Sequence, residues 1–443
     1  MEPKTKKPEL LSPAGSPMAG RAALDYGADA IYLGLKKFSV RADAENFTPR
    51  ELDEIVAYAH SLSPKRKVYA ALNTLVFEDE LEEIVDTLAL LSDLQVDGVI
   101  VQDLGVAKIA RDFFPELRLH ASTRMAVHNL EGALALKKLG FSRATLAREL
   151  TLEEIKEIAK KSGIEVEVFI HGALCYSYSG LCMFSAMAFS RSGNRGECAQ
   201  VCREPFEVAG AGGGKTCLPF SMKDLAVPTL IGELQNVGVA SLKIEGRKKS
   251  PLYVAAVTDF YRRILGGRLT QKAGEELEEN IKTVYSRPWT DLYLSEPQNR
   301  EVIDAKTTGH RGARIGKVDR VYRMPQGINV LRFVTQRPLE RHDGLQIELA
   351  HREKPFGFPV EFLSNRRERI FSVPAGTKVL LKLPDRHPAF PKNAPIYCSS
   401  SHDVKRKYLP KISAPGSLQV LRPLNIHLTL SNHEISVRAW VRP

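Results

Sequence analysis

Short apolar runs alternate with stretches of helical periodicity through about residue 265. Eight runs have the length and composition of buried strands: Glu9–Pro13, Ala30–Leu35, Val68–Asn73, Gly98–Asp103, Arg118–Thr123, Arg143–Glu149, Glu165–His171 and Ser241–Glu245. Between them, ELDEIVAYAH, ELEEIVDTLALL, LEGALALKKLG and TLEEIKEIAKKSG repeat apolar residues every three or four positions, the spacing of a half-buried helix. Thr48 and Thr151 stand three residues before Glu51 and Glu154, which predicts a capping box at two helix starts. Gly140 and Gly163 fall where helices should stop. Eight strands with crossover helices predict an α/β fold, a parallel (β/α)8 TIM-like barrel. The alternative is a doubly wound open sheet.

After Pro251, LYVAAVTDFYRRIL and KAGEELEENIKTVYS read as two helices that close this first unit. From about Thr307 the period changes to two. ARIGKVDRVY, INVLRFV, GLQIELA, PVEFLS, RIFSV, TKVLLKL, APIYC and IHLTLS, separated by Gly, Pro, Asn and Asp, predict a smaller all-β barrel or sandwich. A chain of 443 residues exceeds one ordinary core, and the expected division is 1–300 and 301–443. Charge divides the same way. Residues 301–443 hold 25 Lys+Arg against 12 Asp+Glu, leaving 38 against 40 in the first 300. A basic rear unit fits a polyanionic partner, with Arg366, Arg367, Arg369, Lys405, Arg406 and Lys407 as its most clustered cations. No aromatic RNA-recognition signature accompanies them, so shape and phosphate contact are expected over base reading.

No apolar run approaches the roughly 18 residues of a membrane span. The N-terminus, MEPKTKKPELLSPAG, lacks a signal peptide's apolar core, so a reducing cytoplasmic location is expected. Against that background, four of six cysteines crowd together at Cys175, Cys182, Cys198 and Cys202. Their segment lies between the seventh and eighth predicted strands, as a long insertion at about 172–217. In a reducing compartment such clustering points to metal, either zinc or an iron–sulfur cluster. The stretch AGAGGGKT at 209–216 reads as a hairpin tip, its glycines having the wrong spacing for a P-loop.

The run EVFIHGALCYSYSGLCMFS resembles the signature of the collagenase-like peptidase family of unknown catalytic type. ELLSPAGS, GADAIYLG, RADAENFT, HASTRM, NRGECAQVCR, SMKDL and SLKIEGRKKSPLYV resemble further motifs of that family, in its order, over about residues 8–265. The resemblance implies an oxygen-independent, prephenate-dependent hydroxylase of a pyrimidine in ribosomal or transfer RNA. It implies that Cys175, Cys182, Cys198 and Cys202 hold a four-iron four-sulfur cluster, with Cys217 a reserve ligand. The chain stops at Pro443, where long members of the ribosomal RNA branch continue.

In a barrel the C-terminal strand ends converge on one face, where active sites sit. The candidates there for holding substrate are Arg41, Asn73, Ser122, Arg148, Lys243 and Arg247, the cations among them suiting carboxylate or phosphate. His171 is the candidate proton carrier, with a buried, hydrogen-bonded histidine as its plainer reading. Asp103 and Glu245 are candidate bases, with structural ion pairs as their plainer reading. Two other functions stand beside the hydroxylase: a collagenase-like peptidase, and a zinc-stapled RNA-binding protein without catalysis. The chain has neither HExxH nor GxSxG, and four clustered thiols differ from one activated cysteine. No compact CxxxCxxC triplet marks radical SAM chemistry.

Overall fold

The computed structural model describes residues 7–208, 215–267, 269–325, 327–349, 354–364, 369–408, 424–431 and 434–441. Seven strands come first: β1 (Glu9–Ala14), β2 (Ala30–Leu33), β3 (Lys67–Leu72), β4 (Gly98–Val101), β5 (Leu119–Ala121), β6 (Arg143–Thr145) and β7 (Glu165–Ala173). Helices α1 (Pro17–Asp25), α2 (Pro49–Ser61), α3 (Leu81–Asp93), α4 (Leu104–Phe113), α5 (Leu130–Lys138) and α6 (Leu152–Lys161) connect them. Both predicted capping boxes form, at Thr48 with Glu51 and Thr151 with Glu154. Gly140 and Gly163 follow the ends of α5 and α6 with positive φ.

The cysteine insertion follows, with α7 (Phe184–Phe189), β8 (Phe206–Val208), β9 (Lys215–Cys217) and β10 (Asp224–Ala226). Strands β8 and β9 pair antiparallel around the expected hairpin tip, whose residues 209–214 lie outside the described residues. After α8 (Ile231–Asn236), β11 (Ser241–Ile244) pairs in parallel with both β7 and β1. The ring therefore closes as an eight-stranded parallel barrel, which excludes the open-sheet alternative. Helices α9 (Pro251–Leu265) and α10 (Gln271–Lys282) pack outside it. The nine-residue β7 continues past the ring and pairs antiparallel with β10, which pairs in turn with β12 (Trp289–Thr290).

The ring's interior is polar at one level. Arg143, only 2% exposed, donates to Glu9 (2.6 Å), Glu165 (2.8 Å) and Glu167 (3.3 Å). Lys243 meets the other oxygen of Glu167 at 2.8 Å. Pairing inside the ring is what makes these buried charges tolerable.

A second apolar core, running from Ile315 to Cys398, belongs to the rear unit. Its strands are β13 (Ala313–Lys317), β14 (Arg320–Arg323), β15 (Asn329–Val334), β16 (Leu339–Glu340), β17 (Gly344–Ile347), β18 (Phe356–Pro359), β19 (Leu363–Ser364), β20 (Ser372–Val373), β21 (Lys378–Lys382) and β22 (Pro395–Ser400). Two four-stranded antiparallel sheets, β13-β22-β17-β18 and β14-β15-β21-β19, bury their inner faces there.

One element departs from the sequence expectation. His402–Tyr408 is a helix, α11, and it leaves the β unit to dock on the barrel. Val404 and Tyr408 join the barrel's core, and Tyr408 donates to Asp259 of α9 at 3.0 Å. Lys405, Arg406 and Lys407 therefore sit on this helix, where Arg406 pairs with Glu340 at 3.0 Å. Arg366 and Arg367 lie outside the described residues. A hairpin of β23 (Leu424–Leu430) and β24 (Ile435–Val441) completes the description.

Candidate active site at the mouth of the barrel

A cavity of about 420 Å³ opens at the C-terminal end of the barrel, between the strand ends and the cysteine insertion. Cys175, Cys182, Cys198 and Cys202 all line it, and all four are free thiols. Cys217 is on β9 and Cys398 is buried in the rear unit; neither lines the cavity. Burial pushes the Cys202 thiol up from its ordinary range, and the other three cysteines add to that push. The four thus act on one another across one space. Among the described residues, no three His, Cys, Asp or Glu side chains gather tightly enough to hold a single metal ion.

Cations dominate the remaining wall. Arg41, Arg124, Arg148, Arg203, Arg247 and Arg287 line the cavity beside the thiols. Of the predicted substrate binders, Arg41, Asn73, Ser122, Arg148, Lys243 and Arg247 all line it as well. Their availability differs. Arg148 donates to the Ala173 carbonyl at 2.8 Å, and Asn73 accepts from the Val40 amide at 3.2 Å to shape the loop after β2. Ser122 accepts from the Arg124 amide at 3.3 Å. Arg41 pairs with Glu245 at 3.2 Å. Lys243 lies on the cavity floor, already paired with Glu167 at 2.8 Å.

Arg247 is the exception. It is 3% exposed, yet its Nη1 has no hydrogen-bond partner. Burial, reinforced by the like charge of Arg41, pushes its pKa down to about 10. Gly34 makes room for it, since a Cβ there would lie 2.2 Å from Nη1. This guanidinium is thus buried with one donor unmet, beside the like charge of another arginine.

The three candidate acid–base residues fare differently. Burial pulls the Glu245 carboxyl up, but Arg41, Arg148 and Arg247 outweigh it and hold the group below the usual carboxylate range. Glu245 lines the cavity as a charged partner, so the ion-pair reading fits it. Asp103 does not reach the cavity. It caps α4, accepting from the amides of Gly105 (2.8 Å) and Val106 (3.1 Å). His171 lies behind the wall, 2% exposed, with Tyr261, Trp289 and Tyr253 rings around it. Tyr261 spends its proton on the Ile170 carbonyl, so its oxygen accepts from His171 Nδ1 at 3.2 Å. Burial pushes the imidazole down to about 4, in keeping with the plainer reading of a buried, hydrogen-bonded histidine.

The chain matches the model described as Peptidase family U32 over residues 15–304. It belongs to that family. It is 38% identical to a "tRNA hydroxylation protein P1" of Bacillus subtilis over 59% of this chain and 64% of that protein. It is 37% identical to an "Uncharacterized protease" of Methanocaldococcus jannaschii over 71% of this chain and 81% of that one. It is 38% identical to a 23S rRNA 5-hydroxycytidine synthase of Escherichia coli over 60% of this chain and 40% of that one. The chain thus spans just under two thirds of the first of these relatives and well under half of the third. The Peptidase U32 match takes in every barrel strand from β2 onward and the whole cysteine insertion, and it ends before β13.

Sequence reasoning placed Arg124 at a strand end without a role and missed Arg203, Arg287 and Lys249; all four share the cavity wall. Arg124 and Lys249 stand inside the motifs HASTRM and SLKIEGRKKSPLYV, a signal that was present but gave no direction for any one side chain.

Proposed function

We propose that this protein hydroxylates a pyrimidine base of RNA without molecular oxygen, in a reducing cytoplasm that keeps its thiols free. One observation carries the reading: four thiols and a buried arginine, Arg247, line the same cavity at the C-terminal end of the barrel. Two of the relatives named above carry RNA hydroxylation in their names.

The donor set fits a cluster better than a lone ion. A tetrahedral zinc needs its sulfurs about 2.3 Å from one point, and no three described His, Cys, Asp or Glu side chains are grouped to hold a single ion. Cys175, Cys182, Cys198 and Cys202, spread around one cavity, suit a four-iron four-sulfur cluster, where each thiolate takes a separate iron. Arg124, whose charge meets Cys175, Cys182 and Cys198, and Arg41, whose charge meets Cys198, would offset the negative charge of such a group. When bound, the cluster would supply an iron site at which an oxygen donor is activated.

The chain's own residues do the rest. Arg247, with Arg41 and Arg148 near it, holds a small anionic co-substrate, a dicarboxylate of the prephenate kind. A base must leave its stack to enter a cavity of this size. The cysteine insertion presents exposed apolar side chains for it to rest on: Tyr178 (63% exposed), Leu181 (65%), Met187 (85%) and Phe189 (58%). The basic β unit then holds phosphates. A peptidase reading finds no support in the cavity, whose described lining has no histidine to activate a thiol or hydroxyl.

The deciding experiment is mass spectrometry of nucleosides from transfer and ribosomal RNA of cells with and without the gene. A pyrimidine bearing one extra oxygen should vanish on deletion and return with the intact gene but not with Cys175→Ala. An unchanged nucleoside profile, together with peptide cleavage by metal-free protein, would replace this reading with the peptidase.

A further inference from the structure

Lys249 also lines the cavity, apart from the thiols and from the arginines that hold the anion. A tight turn after β11 carries it, with its amide bonded to the Gly246 carbonyl at 2.9 Å. Its Nζ lies 2.9 Å from the centre of the Tyr285 ring and 5.9 Å from that of Tyr253. Among the described residues it makes no side-chain hydrogen bond and no ion pair. The neighbouring Lys248 differs, since it points to Asp43 at 2.8 Å.

The charges facing Lys249 come from several elements. Asp224 of β10 and Glu245 favour the ammonium, while Arg287 and Arg203 oppose it. Both carboxylates are already engaged, Asp224 by Arg287 at 2.8 Å and Glu245 by Arg41 at 3.2 Å. His171 and His310 also face this amine, which pushes both imidazoles further down. Burial outweighs these charges and brings Lys249 to about 7. About half of the amine is then neutral at pH 7, and a neutral amine in a desolvated, cation-rich wall is a nucleophile.

The partner such an amine calls for is a carbonyl, and the arginines of the same cavity call for a carboxylate. We propose that Lys249 is a covalent site for a small oxo acid, condensing with its ketone while the cavity's arginines hold its carboxylate. The nitrogen adds to the carbonyl carbon, and the carbonyl oxygen leaves as water with the amine's two hydrogens. The resulting imine takes one proton from solvent; nothing is oxidised or reduced. This inference rests on the reading that the cavity takes a small anion, but not on which RNA is modified.

The test incubates the full-length protein with pyruvate or phenylpyruvate and sodium cyanoborohydride, followed by peptide mass spectrometry. The peptide carrying Lys249 should gain the mass of the acid less one oxygen atom, while Lys248 stays unlabelled. Succinate in excess should compete. Arg247→Lys should slow labelling about tenfold or more, the loss expected for one charged hydrogen bond to a carboxylate. Lys249→Arg should abolish labelling with an unchanged circular dichroism melt. Labelling spread evenly over surface lysines, or labelling of Lys249 that succinate leaves unchanged, overturns the proposal. Nucleoside analysis reads the hydroxylase separately, so either idea can fail while the other stands.

Discussion

Lys243 and Glu167 meet at 2.8 Å inside the barrel, directly beneath the thiol-lined cavity, and both side chains are no more than 5% exposed. Burial raises the Glu167 carboxyl, but Lys243 and Arg143 overcome it and bring it to about 2. The pair is thus a fixed floor for the site as well as a partner set for Arg143.

Glu167→Gln leaves Lys243 buried without its anion and should cost about 3–5 kcal/mol of stability. The pH dependence has a definite sign. A carboxylate with a lowered folded value contributes fully above its unfolded value of about 4.3, and that contribution fades as pH falls toward 2. Denaturant melts between pH 7 and pH 3 should show a steep acid loss in the native chain. The loss should be flatter in Glu167→Gln.

Single Ser replacements at Cys175, Cys182, Cys198 and Cys202 should each lower iron and sulfide content in anaerobically prepared protein. Cys217→Ser and Cys398→Ser should leave both unchanged, because those thiols lie outside the cavity. Equal iron in all six variants, or zinc at one per chain, would remove the cluster from the account.

Arg247→Lys keeps a positive charge but loses the planar fork. Affinity for a dicarboxylate probe, read by calorimetry, should fall by about 1.5–3 kcal/mol. Salt should weaken the remaining binding only modestly, since the site is buried.

RNA binding should separate into two components. Tyr178→Ala and Phe189→Ala should each cost about 1–3 kcal/mol, the value of one base stacked on an aromatic ring, without altering the salt slope. Arg369→Glu and Lys405→Glu should instead reduce that slope by about 0.7–0.9 per lost phosphate contact. Anisotropy titrations across a salt series would read both, and aromatic variants that bind as tightly as the parent would rule out the stacking role.

Barrel strands were legible because each is buried on both faces and reads as a short apolar run, as Ala30–Leu33 and Gly98–Val101 do. Helix starts at Thr48 and Thr151 were legible because a capping box is local chemistry. The convergence of the thiols followed from their clustering. What sequence left unsaid depends on distant partners. Nothing near Lys243 announces Glu167, 76 positions away, and nothing near His171 announces Tyr261, 90 positions away. Asp103 reads equally well as a base or as a cap until the amides of Gly105 and Val106 are seen to claim it. The segment HDVKRKY was too short to separate from the surrounding β pattern, and its two buried anchors, Val404 and Tyr408, find their core in another unit.

The long seventh strand has a mechanical consequence. Both feet of the cysteine insertion stand on it: the chain leaves at its end and comes back as β10, with Ala173 opposite Asp224 and His171 opposite Ala226. The span is pinned like a drawbridge with both chains fixed to one tower. Closing that loop costs little entropy once the barrel has formed, because its ends are already side by side. The insertion that carries the thiols can therefore shift while the ring below keeps its register.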